Sequence, residues 1–160
     1  MKAFWCGMAI VIGAAAVPLL GDFAAGLAAY DKHDYATAFK EWKPIAESGD
    51  AQAQLNLGLM YLDGTGVPQS FPDAIHWFRR AADQGQTQAQ LNLGAMYGVG
   101  KGVKRDYIQA YKWLALCAAS GDDKCTAQRD LVAKKLSASK LAEAQRQAKD
   151  WQPKKEQPAQ

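Results

Sequence analysis

The chain has 160 residues, 49% of them hydrophobic, which is enough for one domain with a packed core and too few for two independent ones. Its 19 basic and 16 acidic residues leave a formal charge of +3 and are spread along the chain. They form no concentrated basic stripe, so composition gives no electrostatic footprint for nucleic acid.

In chain order, the first segment stands apart from the rest. Lys2 supplies a short positive start, and no charged residue follows from Ala3 to Leu20. Residues 1–20 therefore read as a secretory signal peptide. The small residues Ala14, Ala15 and Ala16 place cleavage after Ala16, with a cut at about residue 21, just before Asp22, as second choice. An apolar run of this length also approaches the roughly 18 to 20 residues that a spanning helix needs, so an uncleaved inner-membrane anchor is the alternative. Cys6 precedes the apolar run, where no lipid anchor can be built, and is expected to leave with the signal.

The next part of the chain repeats itself. Residues 51–86 can be laid over 87–122 without a gap, and 16 of the 36 positions are identical. QAQLNLG recurs at 52–58 and 88–94, Met60-Tyr61 as Met96-Tyr97, and Trp77 as Trp113. The offset also reaches backward, through Asp34, Ser70 and Asp106, Tyr35, Phe71 and Tyr107, and Ala38, Ala74 and Ala110. Residues 22–50 thus form a degenerate first unit, and Pro44 falls inside its second helix, where it removes one backbone donor.

Each unit reads as two helices. Ala53, Leu57, Met60 and Tyr61 fall on one stripe of a first helix, A, and Ala74, Trp77, Phe78, Ala81 and Ala82 on one stripe of a second, B. Asp34, Ser70 and Asp106 stand where N-caps belong. Gly85 and Gly121 stand just past helix B, where a positive φ ends a helix. Glycines 64, 66, 100 and 102 shape the turn between A and B. Gly58, Ala74 and Ala81 allow close backbone approach, while Tyr61, Trp77 and Phe78 fill the space left between pairs. A single pair cannot bury these faces alone, so the expected fold is all-α, a short right-handed α-α superhelix of stacked pairs.

AQLNLGLMYLDGTGV (53–67) with DAIHWFRRAADQG (73–85), and AQLNLGAMYGVGKGV (89–103) with QAYKWLALCAASG (109–121), resemble the Sel-1-like repeat family, a relative of tetratricopeptide repeats. The resemblance covers roughly Asp22 to Gly121. Its first unit departs from the pattern, since Tyr30 to Tyr35 is five residues shorter than Tyr61 to Phe71 and lacks the glycine turn. Membership implies a solenoid scaffold that binds proteins or peptides, and in bacteria many members are exported and take part in envelope assembly or host contact.

Beyond Gly121 the signature fades, Asp130 standing where Gly58 and Gly94 stood. Residues 123–151 read as C-terminal capping helices, with Ser137 or Ser139 as a cap and Leu141, Ala144, Ala148 and Trp151 as an apolar stripe. Residues 152–160, with Pro153 and Pro158 among Lys, Glu and Gln, are expected to be a disordered tail.

Candidate sites are few. Cys117 and Cys125 flank the Gly121 turn and can meet; in an exported chain this favours a disulfide over two buried free thiols. The spacing of eight also resembles the cysteine-rich secreted branch of the family, where such pairs staple consecutive helices. Two sulfurs do not complete a zinc site, so no metal is expected. Gln52, Asn56, Gln88 and Asn92 recur on helix A beside the apolar stripe. They are candidate peptide-contacting amides on the concave face, with solvated polar positions as the plain alternative. The aromatic residues Trp42, Trp77, Trp113, Tyr61 and Tyr97 recur in helical register, as core residues do. His33 and His76 belong to no catalytic or metal set, and Arg79-Arg80, Lys134-Lys135 and Lys154-Lys155 read as solvated pairs.

No cofactor and no catalytic residue is expected. The leading expectation is a non-enzymatic, periplasmic or secreted scaffold for an unidentified protein or peptide, with no nucleic-acid partner and membrane contact only through an uncleaved signal segment. Two alternatives remain: a protein that binds or hydrolyses cell-wall or β-lactam ligands, as the cysteine-rich branch suggests, and a membrane-anchored adaptor.

Overall fold

A computed structural model describes residues 21–156. The expected signal segment and residues 157–160 lie outside them. The described residues form eight helices and no strand: α1 (Phe23–Asp31), α2 (Tyr35–Glu47), α3 (Ala51–Asp63), α4 (Phe71–Asp83), α5 (Thr87–Val99), α6 (Tyr107–Ala118), α7 (Asp123–Ala133) and α8 (Ala138–Lys149). None is long and apolar enough to cross a membrane. Each helix packs on the next through α7, which gives the superhelix of helix pairs expected from the repeat. Odd-numbered helices are the A helices and even-numbered ones the B helices of the stack up to α7.

The ends of these helices follow from the residues that punctuate them. Asp34, Ser70 and Asp106 accept from first-turn backbone N–H groups of α2, α4 and α6, and Asp50, Asp122 and Ser137 do the same for α3, α7 and α8. Gly64 and Gly100 close α3 and α5 in the left-handed region, at φ 71° and 76°. The shortened first unit lacks such a glycine, and His33 takes the left-handed conformation instead, at φ 62°. Its Nδ1 lies 2.8 Å from the Tyr35 hydroxyl.

Packing inside each pair rests on one close approach. The Phe78 ring lies over Gly58, and Leu114 occupies the matching place over Gly94. Both large side chains are buried, with Phe78 at 0% exposure and Leu114 at 1%. Gly26 receives the Trp42 indole in the same manner, and that indole Nε1–H donates to the Phe23 carbonyl at 3.2 Å. Trp42, Trp77, Trp113 and Tyr97 are buried and Tyr61 half-buried, so the recurring aromatics are core residues.

Adjacent units are joined by a polar contact inside the core. Gln54 and Gln90 are the two buried polar residues of the described chain, at 0% and 3% exposure, and they stand 36 residues apart. The Gln54 Nε2–H donates to the Ala46 carbonyl at 3.0 Å, and that of Gln90 to the Ala82 carbonyl at 3.3 Å. Each thereby adds a second donor to a C-terminal carbonyl of the preceding B helix, beside the Gly49 or Gly85 backbone N–H. Gln90→Leu removes this second bond while the Ala82 carbonyl keeps the Gly85 N–H, and chemical denaturation should show a loss of about 0.5 to 1.5 kcal/mol.

Two features of the closing region are not written in the sequence pattern. First, α8 packs back on α6, with Ala144 fully buried and Gln109 Nε2 donating to Gln147 Oε1 at 3.0 Å. Second, residues 152–156 of the expected disordered tail are placed along the stack. The Lys154 N–H donates to the Asp83 carbonyl at 2.7 Å, and Trp151 and Pro153 cover Gly85. Arg80 then grips Glu156 with one edge of its guanidinium, Nε to Oε1 at 2.9 Å and Nη2 to Oε2 at 2.6 Å. Polar composition signals disorder when a segment has nothing to bury, but here a bidentate ion pair and an aromatic anchor hold it.

This strap titrates. The hydrogen bonds from Arg80 hold the Glu156 carboxyl below its ordinary range, against the opposing effect of burial, and Gln54 Nε2 adds a further donor at 2.8 Å. A folded pKa below the unfolded one means stability present above the unfolded value and lost as pH falls through the folded one. The strap should therefore release in acid. Hydrogen exchange should show the Lys154 amide losing protection below the carboxylate range, and Glu156→Gln should reproduce that loss at neutral pH, at a cost on the order of 1 kcal/mol.

Candidate functional site

The A helices present one polar row. Gln52 and Gln88 are exposed on the first turns of α3 and α5, and Asn56 and Asn92 stand half-buried one turn further on. The structure brings them together in pairs: Gln52 Nε2 donates to Asn56 Oδ1 at 3.3 Å, and Gln88 Nε2 to Asn92 Oδ1 at 3.4 Å. Gln86 bridges the two units, its Nε2–H donating to Gln52 Oε1 at 2.9 Å. The two contacts within a helix are long, so the Gln52 and Gln88 donors are open to exchange with another acceptor. Asn92 Nδ2 is buried without a hydrogen-bond partner among the described residues.

A cleft lies at each end of this row. At the N-terminal end Leu27, Tyr30, Trp42, Asn56 and Leu59 enclose about 140 Å³ between α1 and α3. At the C-terminal end a larger one, of about 490 Å³, opens between α5 and α7. Three apolar residues at these clefts are exposed, Leu27 at 46%, Val99 at 70% and Leu131 at 61%. Val99 and Leu131 share the C-terminal cleft, and Leu27 lies in the other.

Other parts of the stack are covered by the chain itself. α8 rests on α6, and the strap crosses the turns at Gly49 and Gly85. None of its hydrogen bonds involves Gln52, Asn56, Gln88 or Asn92.

Two other expectations have outcomes here. Cys117 and Cys125 are both fully buried, with their Cα atoms 5.7 Å apart and their sulfurs within bonding distance. Arg79 and Arg80, by contrast, are not a solvated pair. The Arg79 guanidinium lies 5.5 Å from the centre of the Tyr97 ring and bonds to its hydroxyl, while that of Arg80 stacks 4.9 Å from the Trp77 ring and binds the strap. His33 and His76 are exposed, and the described residues contain no group of three or more His, Cys, Asp or Glu that could hold a metal.

Sequence reasoning missed the clefts, Gln54 and Gln90. The glutamines had a signal, since each sits at an identical repeat position with apolar neighbours. The C-terminal cleft had one too, in the positions where the second full unit departs from the first.

Comparison with known proteins agrees with this architecture. A model described as the Sel1 repeat matches residues 51–86 and 87–122, the same two frames. Among solved structures the chain is similar to a protective antigen present in uropathogenic Escherichia coli strains that displays an SLR fold. The identity is 32% and the TM-score 0.74, over 79% of this chain and 28% of that one. It is also similar to a Sel1 repeat protein from Oxalobacter formigenes, with 31% identity and a TM-score of 0.64, over 70% of this chain and 49% of that one. The chain therefore spans less than half the length of either. No curated protein matches it.

Proposed function

Because this chain is a Sel1 repeat protein across residues 51–122, we propose that it is a non-enzymatic scaffold that binds a protein or peptide on its A-helix face, in the cell envelope or outside the cell. The observation that carries the choice of face is the asymmetry of covering. α8 packs on the B helix α6 and the strap on the turns at Gly49 and Gly85. Among the described residues the side chains of the amide row bond only to one another and to Gln86, and Leu27, Val99 and Leu131 stay exposed. An amide can donate to and accept from an extended peptide backbone, which suits Gln52, Asn56, Gln88 and Asn92 to that contact.

Export rests on the apolar N-terminal segment and on a cysteine pair placed to form a disulfide, a bond that persists in oxidising compartments. That one similar structure belongs to a protective antigen is in keeping with it.

Photo-crosslinking in intact cells tests the face. A crosslinker at Asn92 should trap a partner protein, whereas one at exposed Lys40 on α2 should not; equal trapping at both, or none at Asn92, overturns the reading. Mass spectrometry of the mature chain tests the export route. An N-terminus at Val17 or Asp22 agrees with a cleaved signal, and a retained Met1 turns the reading into a membrane-anchored adaptor.

A further inference from the structure

The C-terminal cleft owes its shape to what the second full unit lacks. Its floor and walls are Gly94, Ala95, Gly98, Leu114, Leu131 and Val132. At the corresponding positions of the preceding unit, 36 residues earlier, Leu59 and Leu62 stand in place of Ala95 and Gly98, and both pack against the core. One leucine side chain, and all but the methyl of a second, are thus missing from the floor.

Gly98 is informative because packing does not require it. Cβ atoms at Gly58 and Gly94 would collide with neighbours, whereas one at Gly98 would meet only the Ala110 Cβ at 3.7 Å, an ordinary contact. A glycine inside a helix is unfavourable by about 0.5 to 1 kcal/mol relative to alanine, so this one carries a penalty that the core does not explain. Its effect is to keep the cleft open.

The cleft has a charged end. Tyr107 and Lys135 also line an adjoining cavity of about 200 Å³, whose walls include Arg105, Lys140 and Asp106. The one carboxylate there is engaged, since Asp106 Oδ1 accepts the Ile108 and Gln109 backbone N–H groups at 2.9 and 3.1 Å. Arg105, Lys135 and Lys140 make no ion pair among the described residues. Three cations against the one carboxylate, Asp106, leave this end positive, and an apolar trough running into it is complementary to a ligand with apolar side chains followed by carboxylates.

We propose that this composite site docks an amphipathic peptide segment of a partner protein, with its apolar side chains over Gly98 and its acidic end at Arg105, Lys135 and Lys140. The proposal rests on the scaffold reading and names the chemistry of its partner.

The test uses the whole mature protein and a labelled synthetic peptide of fourteen residues. This carries leucines at helical spacing and three C-terminal glutamates, and is compared with versions bearing glutamine or lysine in place of the glutamates. Fluorescence anisotropy should show the acidic peptide binding at least tenfold more tightly than the glutamine version and losing affinity as salt rises, with no binding of the lysine version. Gly98→Leu, whose Cβ would meet only the Ala110 Cβ at 3.7 Å, should remove binding while circular dichroism stays unchanged and the melting temperature does not fall. Lys135→Glu should weaken it at least tenfold. Equal binding of the three peptides, or undiminished binding to Gly98→Leu, overturns the proposal, as does capture of anionic phosphatidylglycerol vesicles with no peptide binding. A cellular partner trapped at Asn92 whose capture survives Gly98→Leu also overturns it, and leaves the scaffold reading standing.

Discussion

Gly58→Ala should destabilise the protein by about 1 to 3 kcal/mol, the range for overfilling a packed core, although alanine is the better helix former. The new Cβ would sit 2.5 Å from both Cδ1 and Cε1 of Phe78. Phe78 has 0% exposure and is packed among Ala74, Ala81 and Ala82, so the ring has no empty direction in which to retreat. Gly94→Ala should behave alike, since its Cβ would fall 2.7 Å from Leu114 Cγ and 3.2 Å from the Ala110 carbonyl oxygen. The control is Gly98→Ala, where helix propensity is unopposed and stability should rise by about 0.5 to 1 kcal/mol. Urea denaturation of the three variants decides the matter, and a uniform sign across them would refute close approach as the role of Gly58 and Gly94.

The second large effect is expected at the turn between α6 and α7. A separation of 5.7 Å between the Cα atoms of Cys117 and Cys125 lies within the span that a disulfide bridges. Closing a loop of nine residues contributes about 2.6 kcal/mol on the chain-entropy account. Alkylation in denaturant without reductant should leave both cysteines unlabelled, and prior reduction should add two labels; labelling of both without reductant sinks the pairing. The double variant Cys117→Ala, Cys125→Ala should lose about the same 2.6 kcal/mol. Its loss should be local, because Cys125 is the single buried residue of α7. Hydrogen exchange should show the α7 amides opening first. With them goes a wall of the cleft at Leu131 and Val132, so the double variant should also bind the acidic peptide less well.

Much of the fold was legible because it is local and repeated. Caps at Ser70 and Asp106, positive-φ glycines and the apolar stripes all act within a few residues, and a second copy of each at the same offset separates signal from accident. The frames at 51–86 and 87–122 coincide with the matched repeats for that reason. The strap was not legible, since Glu156 and Arg80 are 76 residues apart and neither hints at the other. The clefts escaped for a different reason. A cavity is made by side chains that are missing, and Ala95 and Gly98 read in one dimension as ordinary helix residues. The amide row was legible as a pattern, but its internal pairing and its neighbouring clefts required the helices to be stacked.

The strap also works as a ruler for the length of the array. It leaves the last helix and lands one unit back, on Arg80 and Gln54, where the next unit offers Leu116 and Gln90. Lengthening the stack by a copy of 51–86 inserted after residue 86 would present the strap with a fresh arginine at the right distance. A copy of 87–122 in the same place would present a leucine, and the chain's end would come loose. The protein thus distinguishes which unit may stand next to last, a rule of assembly written in one side chain and invisible to any single repeat.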